Sequence, residues 1–559
     1  YITKSKHKYK VPLSSIFLSL CLLSHLIPFI LYLPAYSIYW LIKKEKIQLK
    51  FISIFIFTTL VTRFVIPLFY NLEFTTNMSY TPYTRLKDLI KPDILPYTFL
   101  LFLFLLGRFN FKKLIENKTF SLFEIYLLFM SVCLYYFVPE GALWNGRLVP
   151  FFNLGIIIIF FRMFDFLLDD IFQFQQGKLT INLVILSSII ACIYIFYDKW
   201  FEFNRYKLFV FVIIGFTLLG VVLFYSSSYK LFSLGVFVFV ISSMSFLPHW
   251  VNWNFTGYEG KEDWKEIETL YSSLEKLPPG RIMWEPNSEL NKYGTPMVLM
   301  TIPFFTDHTS MEGLYFDSSI TTPFHFIAVS GLAQAPSNPV GGLSYINNDF
   351  EKGVEYLQEL GVDYFISYTE LIRDKAIKNK DLNQLFVSEP FSVFKIETNK
   401  IELVHQKLES FPRISFYERT TSSLFRDTEY ENFFEKAYNN FRKLDEYRVI
   451  ELPSGVNVDS SNDIDLMISD LIISNDEIKF TTNKPNKLHI IKVSYFPNWE
   501  LANGLGPYRI SPSFMAIVPF DNNIEISFGR TNIETYSFYF GLFSLLLSLV
   551  LFWRIKDNV

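Results

Sequence analysis

Four carboxylates offer this chain its acid–base chemistry: Glu140, Glu285, Glu312 and Asp317. Glu285, in "GRIMWEP", and Glu312, in "SMEGLYF", stand among apolar neighbours. Burial in such surroundings raises a carboxyl pKa toward the range that general acid–base catalysis uses. The same acids serve as well as structural hydrogen-bond acceptors, and both roles stay open at this stage. Arg281, Trp284 and His325 lie in neighbouring stretches and complete a candidate outer-domain pocket.

A second cluster lies in "VPEGALWNGRLVPFFNLG", which puts Glu140, Trp144, Asn145 and Arg147 between two apolar runs. Charges at a membrane edge are costly if they face lipid. Arg147 either snorkels to headgroups or pairs with Glu140. Alternatively it holds an anionic group such as a lipid-linked phosphate, which a guanidinium grips through two hydrogen bonds. A third group, Tyr495, Trp499 and Tyr508, either contacts glycan or fills a β-sandwich core.

Other chemistries have no signature. The seven histidines show no HxH or HExxH spacing, so no metal site is signalled. No Walker loop, GxGxxG turn or nucleophile elbow is found, and no cofactor is identified. Whether a divalent cation takes part is not written in these residues. The net charge of -3 gives no reason to expect nucleic acid. Cys21, Cys133 and Cys192 all fall in apolar stretches, leaving the polar part without disulfides.

These residues need elements to hold them. Apolar runs crowd residues 11–249, and one more, "YSFYFGLFSLLLSLVLFW", follows near the end. Read as membrane spans, they fall near 11–26, 28–42, 50–70, 93–107, 120–138, 150–167, 180–197, 206–225, 231–249 and 536–553. Basic flanks, "KSKHKYK", "KKEK", "GRFNFKK" and the terminal "WRIKDNV", place both ends in the cytoplasm and residues 250–533 outside. The first residue is Tyr1, and the expectation is that the chain is incomplete at its N-terminus.

Within 260–400, "EDWKEIETLYSSLEKLPPG" has helical spacing, "RIMWE" reads as a strand, and "FEKGVEYLQELGVDYFISYTE" reads as helix, Gly turn and strand. Residues 405–450 include a polar helix, "TEYENFFEKAYNNFRKLDEY". From about 468 short strands separated by Asn, Pro and Gly suggest a small β-sandwich. The expected fold is a polytopic α-helical membrane protein of about ten spans, with an extracytoplasmic α/β domain, a C-terminal β-sandwich-like module and a closing membrane helix. Its parts are a multi-span membrane domain over 1–249, the α/β domain over 250–400, the helical segment and β module over 401–533, and the last span with a cytoplasmic tail over 534–559.

Several stretches resemble a known family. "ALWNGRLVPFFNLG", "GRIMWEP", "YGTPMVLMTIPFFT", "SMEGLYFDSS", "TTPFHF", "APSNPV" and "VSYFPNWELANGLGPYRISPSFMAIVP" are similar to prokaryotic membrane proteins labelled 6-pyruvoyl-tetrahydropterin-synthase-related. The histidine pattern of a true pterin synthase is missing. The architecture resembles the C-type glycosyltransferase superfamily, which uses polyprenyl-phosphate sugars. That resemblance implies transfer of sugar from a polyprenyl-phosphate donor to a cell-envelope glycan or glycolipid acceptor, at the outer face of the cytoplasmic membrane. It also implies a catalytic Asp or Glu in the first outer loop. Here the first outer link, "SHLIP", has no acid, and the expectation is that the catalytic loop precedes Tyr1. Glu140, Trp144, Asn145 and Arg147 would then form a donor-phosphate site at the membrane edge. Two other readings stand beside this one: a non-catalytic membrane scaffold or glycan-binding protein, and a lipid or polymer transporter.

Overall fold

The computed structural model of the chain describes residues 10–24, 50–59, 122–137, 145–159, 246–313, 321–336, 343–412, 441–463 and 465–557, with isolated positions elsewhere. The chain divides into two compact units. The first holds Tyr1–Phe57, Thr81–Phe255 and Arg554–Val559. Its described part is helical, and Leu127, Tyr135, Leu148, Phe152 and Ile156 share one core. The second holds Thr58–Tyr80 and Thr256–Trp553, and carries most of the candidate site residues.

In the second unit, helix α1 (Trp264–Leu274) buries Trp264, Ile267, Leu270, Tyr271 and Leu274 along one face. Next come β1 (Arg281–Trp284) and β2 (Thr309–Ser310). Helices α2 (Thr322–Leu332) and α3 (Phe350–Glu359) lead to β3 (Tyr364–Ser367). Then follow α4 (Glu370–Lys378), β4 (Leu382–Ser388) and β5 (Phe391–Ile396). Asp349 and Thr369 cap α3 and α4 by accepting from backbone N–H groups three residues on. The turn from α3 into β3 needs a left-handed residue, and Gly361 supplies it at φ 68°. The five strands order as β2-β1-β3-β5-β4, with β1, β2 and β3 parallel and β5 and β4 antiparallel.

The remaining strands are β6 (Ile401–Leu403), β7 (Lys407–Pro412), β8 (Tyr447–Leu452), β9 (Ile468–Ile473) and β10 (Glu477–Thr482). They continue as β11 (His489–Ser494), β12 (Trp499–Leu501), β13 (Gly504–Ile510), β14 (Phe514–Pro519) and β15 (Asn523–Phe528), and α5 (Asn532–Asp557) closes the chain. They form a six-stranded sheet, β6-β11-β14-β13-β8-β7, and a four-stranded one, β12-β15-β10-β9.

The cores show how these layers stack. Helix α1 covers one face of the first sheet with Ile282, Trp284, Tyr364 and Ile366. Helices α2 and α3 fill the space between its other face and the six-stranded sheet. They lie close because Gly331 faces the Asp349 carbonyl, where a Cβ would stand 2.4 Å from the oxygen. The six-stranded sheet is apolar on both faces: Ile490 packs toward the helices and Ile491 toward the four-stranded sheet. Period-2 alternation therefore gives the unbroken apolar pair in "HIIKV".

A buried ionic seam joins the α/β layers to the six-stranded sheet. Arg448 of β8 is almost wholly buried. It donates Nη2 to Glu359 at the end of α3 (3.0 Å) and to Glu402 of β6 (3.1 Å). Its Nη1 and Nε donate to the Ser511 carbonyl (3.2 Å) and to Gln406 (3.2 Å). Lys492 of β11 bonds the other Glu402 oxygen (3.1 Å) and the Gln358 carbonyl (3.2 Å). A guanidinium removed from water is tolerable only with its donors satisfied, and here they are.

One expectation is corrected. The described residues do not form a polytopic helical protein of about ten spans. Among the described residues one helix, Asn532–Arg554, is long and apolar enough to cross a membrane, and three sheets dominate. The described parts of the apolar stretches near 50, 122 and 145 include the helices Lys50–Thr59, Tyr126–Phe137 and Asn145–Ile159, with Phe51, Phe129, Phe137 and Leu154 exposed. The spans expected at 93–107, 180–197, 206–225 and most of 231–249 lie outside the described residues. Residues 401–452 contribute β6, β7 and β8 to the six-stranded sheet, and most of the polar helix expected within 405–450, "TEYENFFEKAYNNFRKLDEY", lies outside the described residues.

Arg448→Met would leave Glu359 and Glu402 without their shared cation. The expected cost is about 3–5 kcal/mol, read as a lower urea midpoint of the purified full chain.

Candidate functional site

Strands β1, β2 and β3 are parallel, so their C-terminal ends share one edge of the first sheet. From β1 the chain crosses to β2, and from β3 it leaves toward β4 and β5 on the other side. Open α/β sheets bind ligands at the crevice where connections diverge in this way. Here the crevice lies between the ends of β1 and β3.

Glu285 follows β1 into that crevice and is fully buried. Its Oε2 accepts from the backbone N–H of Tyr368 (2.9 Å) and Thr369 (2.8 Å), and its Oε1 accepts from the Thr369 hydroxyl (2.7 Å). The backbone N–H of Glu285 donates to the Ile366 carbonyl at 2.9 Å. The acid thus ties β1 to the start of α4 and fills the crevice. Every bond it makes favours a fixed, accepting carboxylate.

Glu312 lies two residues beyond β2 at the same edge. It is 8% exposed, and its Oε1 has no hydrogen-bond partner. Its backbone carbonyl accepts from the Ser310 hydroxyl at 2.6 Å, which shapes the turn out of β2. Burial alone pushes its pKa up to about 7. The next residue, Gly313, is exposed, and a Cβ there would meet nothing within 4 Å. Glu312 is therefore a buried acid whose carboxyl pKa desolvation raises to about 7, in the range that proton transfer uses.

Arg281 and His325 belong elsewhere. Arg281 begins β1, level with Thr309, at the opposite edge from Glu285 and Glu312. Its Nη1 donates to the Leu360 carbonyl at 2.6 Å, and its backbone N–H donates to Asp363 at 2.6 Å. Lys400 donates to the same Asp363 carboxylate (2.5 Å) and to the Gly361 carbonyl. Burial and the neighbouring guanidinium pull Lys400 down to about 8. Burial, and then Arg281, push His325 down to about 3, so its imidazole stays neutral. Its Nδ1 has no partner. Trp284 is buried on the α1 face of the sheet. The pocket expected from sequence thus falls into two groups at opposite strand ends.

Of the membrane-edge group, Asn145 is buried and donates to the Tyr135 carbonyl at 3.1 Å, while Arg147 is exposed in the short Asn145–Leu148 turn. Glu140, Trp144 and Asp317 lie outside the described residues. Tyr495, Trp499 and Tyr508 are buried, the first two between the six- and four-stranded sheets and the third in the core beneath α2 and α3. Their rings are spent on packing and do not offer a stacking platform. Among the described residues no three His, Cys, Asp or Glu side chains cluster to hold a metal ion.

Sequence reasoning missed Asp363, Lys400, Glu402, Arg448 and Lys492. Their partners stand far away along the chain, as Arg448 does from Glu359, so no local spacing announces them.

No protein family, curated protein or solved structure matches this chain. The resemblance to polyprenyl-phosphate-dependent transferases rests on the quoted stretches alone.

Two measurements separate the acids. Glu285→Gln keeps one accepting oxygen where two are used, and is expected to cost about 1–3 kcal/mol. For Glu312, folding raises the pKa from 4.5 to about 7. Between those values the native chain binds more protons than the unfolded one. The contribution of this group to stability therefore falls as pH rises through that window, by about 3 kcal/mol in full. Glu312→Gln is expected to flatten the slope of melting temperature against pH over that interval. An unchanged slope would contradict the burial described here.

Proposed function

We propose that this chain is a membrane-anchored enzyme that transfers sugar from a polyprenyl-phosphate donor to a cell-envelope glycan or glycolipid, with Glu312 as its proton-transfer group. The observation that carries the reading is Glu312 itself, a buried acid with an unpaired oxygen and a pKa near 7, at the ligand-binding edge of a parallel sheet. In the transfer, an acceptor hydroxyl attacks the anomeric carbon of the donor. Glu312 takes the hydroxyl proton, and the bond from that carbon to the phosphate oxygen breaks. The electron pair leaves with the polyprenyl phosphate. A carboxyl half-ionised near neutral pH suits this step, because it accepts the proton yet is available as a base.

Helix α5 supports the membrane part of the reading. It is only 22% buried over its apolar stretch, whereas a core helix would be mostly covered. Its 23-residue span covers about 35 Å, enough for a hydrocarbon core of about 30 Å. Arg554 and Lys556 follow the span, which favours a cytoplasmic C-terminus and an outer position for the domain before it.

The test is sugar transfer by the full chain in lipid vesicles, using radiolabelled polyprenyl-phosphate sugars and glycan acceptors. Glu312→Gln is expected to lower the rate at least about 100-fold with the fold intact by melting. Activity equal to the wild type would remove Glu312 from the chemistry. Absence of transfer by the wild type across the donor panel would leave a scaffold as the better account.

A further inference from the structure

Helix α5 does not hang from a loose linker. Thr531 and Glu534 form a capping box at its start: the Thr531 hydroxyl accepts from the Glu534 N–H (3.4 Å), and Glu534 Oε2 accepts from the Thr531 N–H (2.8 Å). Asn498, in the turn before β12, bonds to the same structure. Its Nδ2 donates to Glu534 Oε2 (2.8 Å) and to the Gly529 carbonyl (2.8 Å), and its backbone carbonyl accepts from the Gly529 N–H (2.8 Å). The side chain of Asn498 is buried. The first turn of the helix is therefore fastened to the four-stranded sheet through a side chain that water does not reach.

That fastening fixes which end of the sheet faces the membrane. Phe528 ends β15, and α5 starts at Asn532, at most about 14 Å of chain away. Exposed Tyr536 and Tyr539 lie in the first two turns of α5, where interfacial aromatic rings belong. Strand register brings the end of β9 to the same rim. Ile473 pairs with Ile478, Ile478 with Ile526, and Ile526 with Leu501. The N–H of Phe528 donates to the Asp476 carbonyl at 2.8 Å, so the turn between β9 and β10 stands beside the exit of the chain into α5.

The end of β9 has an unusual surface. Ile473 shares a face with buried Ile478, and Ile472 shares the opposite face with Lys479. An edge strand that covers one core needs only one apolar face. Here both are apolar, and Leu471, Ile472 and Ile473 are all exposed, with Ile472 at 54% and Phe528 nearby at 40%. On the outer face beside them Lys479 pairs with Glu477 (2.6 Å) and Glu525 (3.3 Å), which leaves one net negative charge.

We propose that this rim, formed by the end of β9 and by Phe528, rests in the interfacial zone of the lipid bilayer that α5 crosses. The rim and the span together hold the four-stranded sheet end-on to the membrane. The occupant is lipid because the same rim is where the chain enters the bilayer. The proposal rests on α5 crossing a membrane and is independent of the role given to Glu312.

The test uses the full chain with Cys21, Cys133 and Cys192 replaced by Ser. A single cysteine is placed at Ile472 (Ile472→Cys) or, at the far end of the same strand, at Met467 (Met467→Cys), and labelled with bimane. The proteins are reconstituted in phosphatidylcholine–phosphatidylglycerol vesicles with or without dibrominated lipid. Alkaline washing confirms separately that α5 is inserted. The expected result is bromine quenching at 472 at least twice that at 467, with a blue-shifted emission. Equal quenching at both positions would overturn the proposal. A blue shift at 472 without bromine quenching would also overturn it, since a protein surface would then cover the strand.

Discussion

The second unit depends on one guanidinium. Arg448 sits where a helix layer, a strand edge and a six-stranded sheet meet, and it satisfies acceptors from all of them. A buried charge of this kind adds little net stability over an apolar replacement of the same shape. It does impose a geometry, because slippage between α3 and β6 would leave a buried guanidinium without its carboxylate partners. Lys492 adds a second cation on the same Glu402. The apolar packing of α2 and α3 tolerates small shifts, and the ionic seam does not. The relation of the first sheet to the sandwich behind it is set there.

With that frame in place, two glutamates of similar sequence context acquire opposite characters. Glu285 enters the crevice between β1 and β3 and meets two backbone N–H groups and a hydroxyl. Glu312 leaves β2 one strand away and meets apolar surroundings, with one oxygen unpaired. The difference is a matter of supply: the turn into α4 presents the N–H groups of Tyr368 and Thr369, and Glu285 reaches them. Hydrogen bonding fixes one acid in place, while desolvation raises the pKa of the other toward neutral.

Helix α5 shows the same interplay of local and long-range causes. Its length, its hydropathy and the capping box in "RTNIET" are local properties. Its direction relative to the four-stranded sheet comes from Asn498, which stands more than thirty residues earlier in the chain. A span with this attachment gives the preceding domain a defined side to present to lipid.

Much of the second unit was legible in the residues. The helical spacing of 264–274, the helix, Gly361 turn and strand across 350–367, and the late run of short strands all follow from period and turn chemistry. The length and apolarity of the last helix follow in the same way. Strands β6 and β7 went unread because β6 is only three residues long and β7 is an edge strand, so neither has a lasting alternation. The apolar stretches near 50, 122 and 145 form helices among the described residues, and apolarity alone does not name what covers them. The sequence by itself determined local conformation and the supply of acids and cations, since these depend on neighbours a few residues apart. Tertiary structure alone decided that Glu285 is bound and Glu312 free, that Arg281 and His325 stand at the other strand end, and that Tyr495, Trp499 and Tyr508 are core. Each of those outcomes depends on partners brought together from distant parts of the chain, and hydrogen bonding and desolvation act only once they meet.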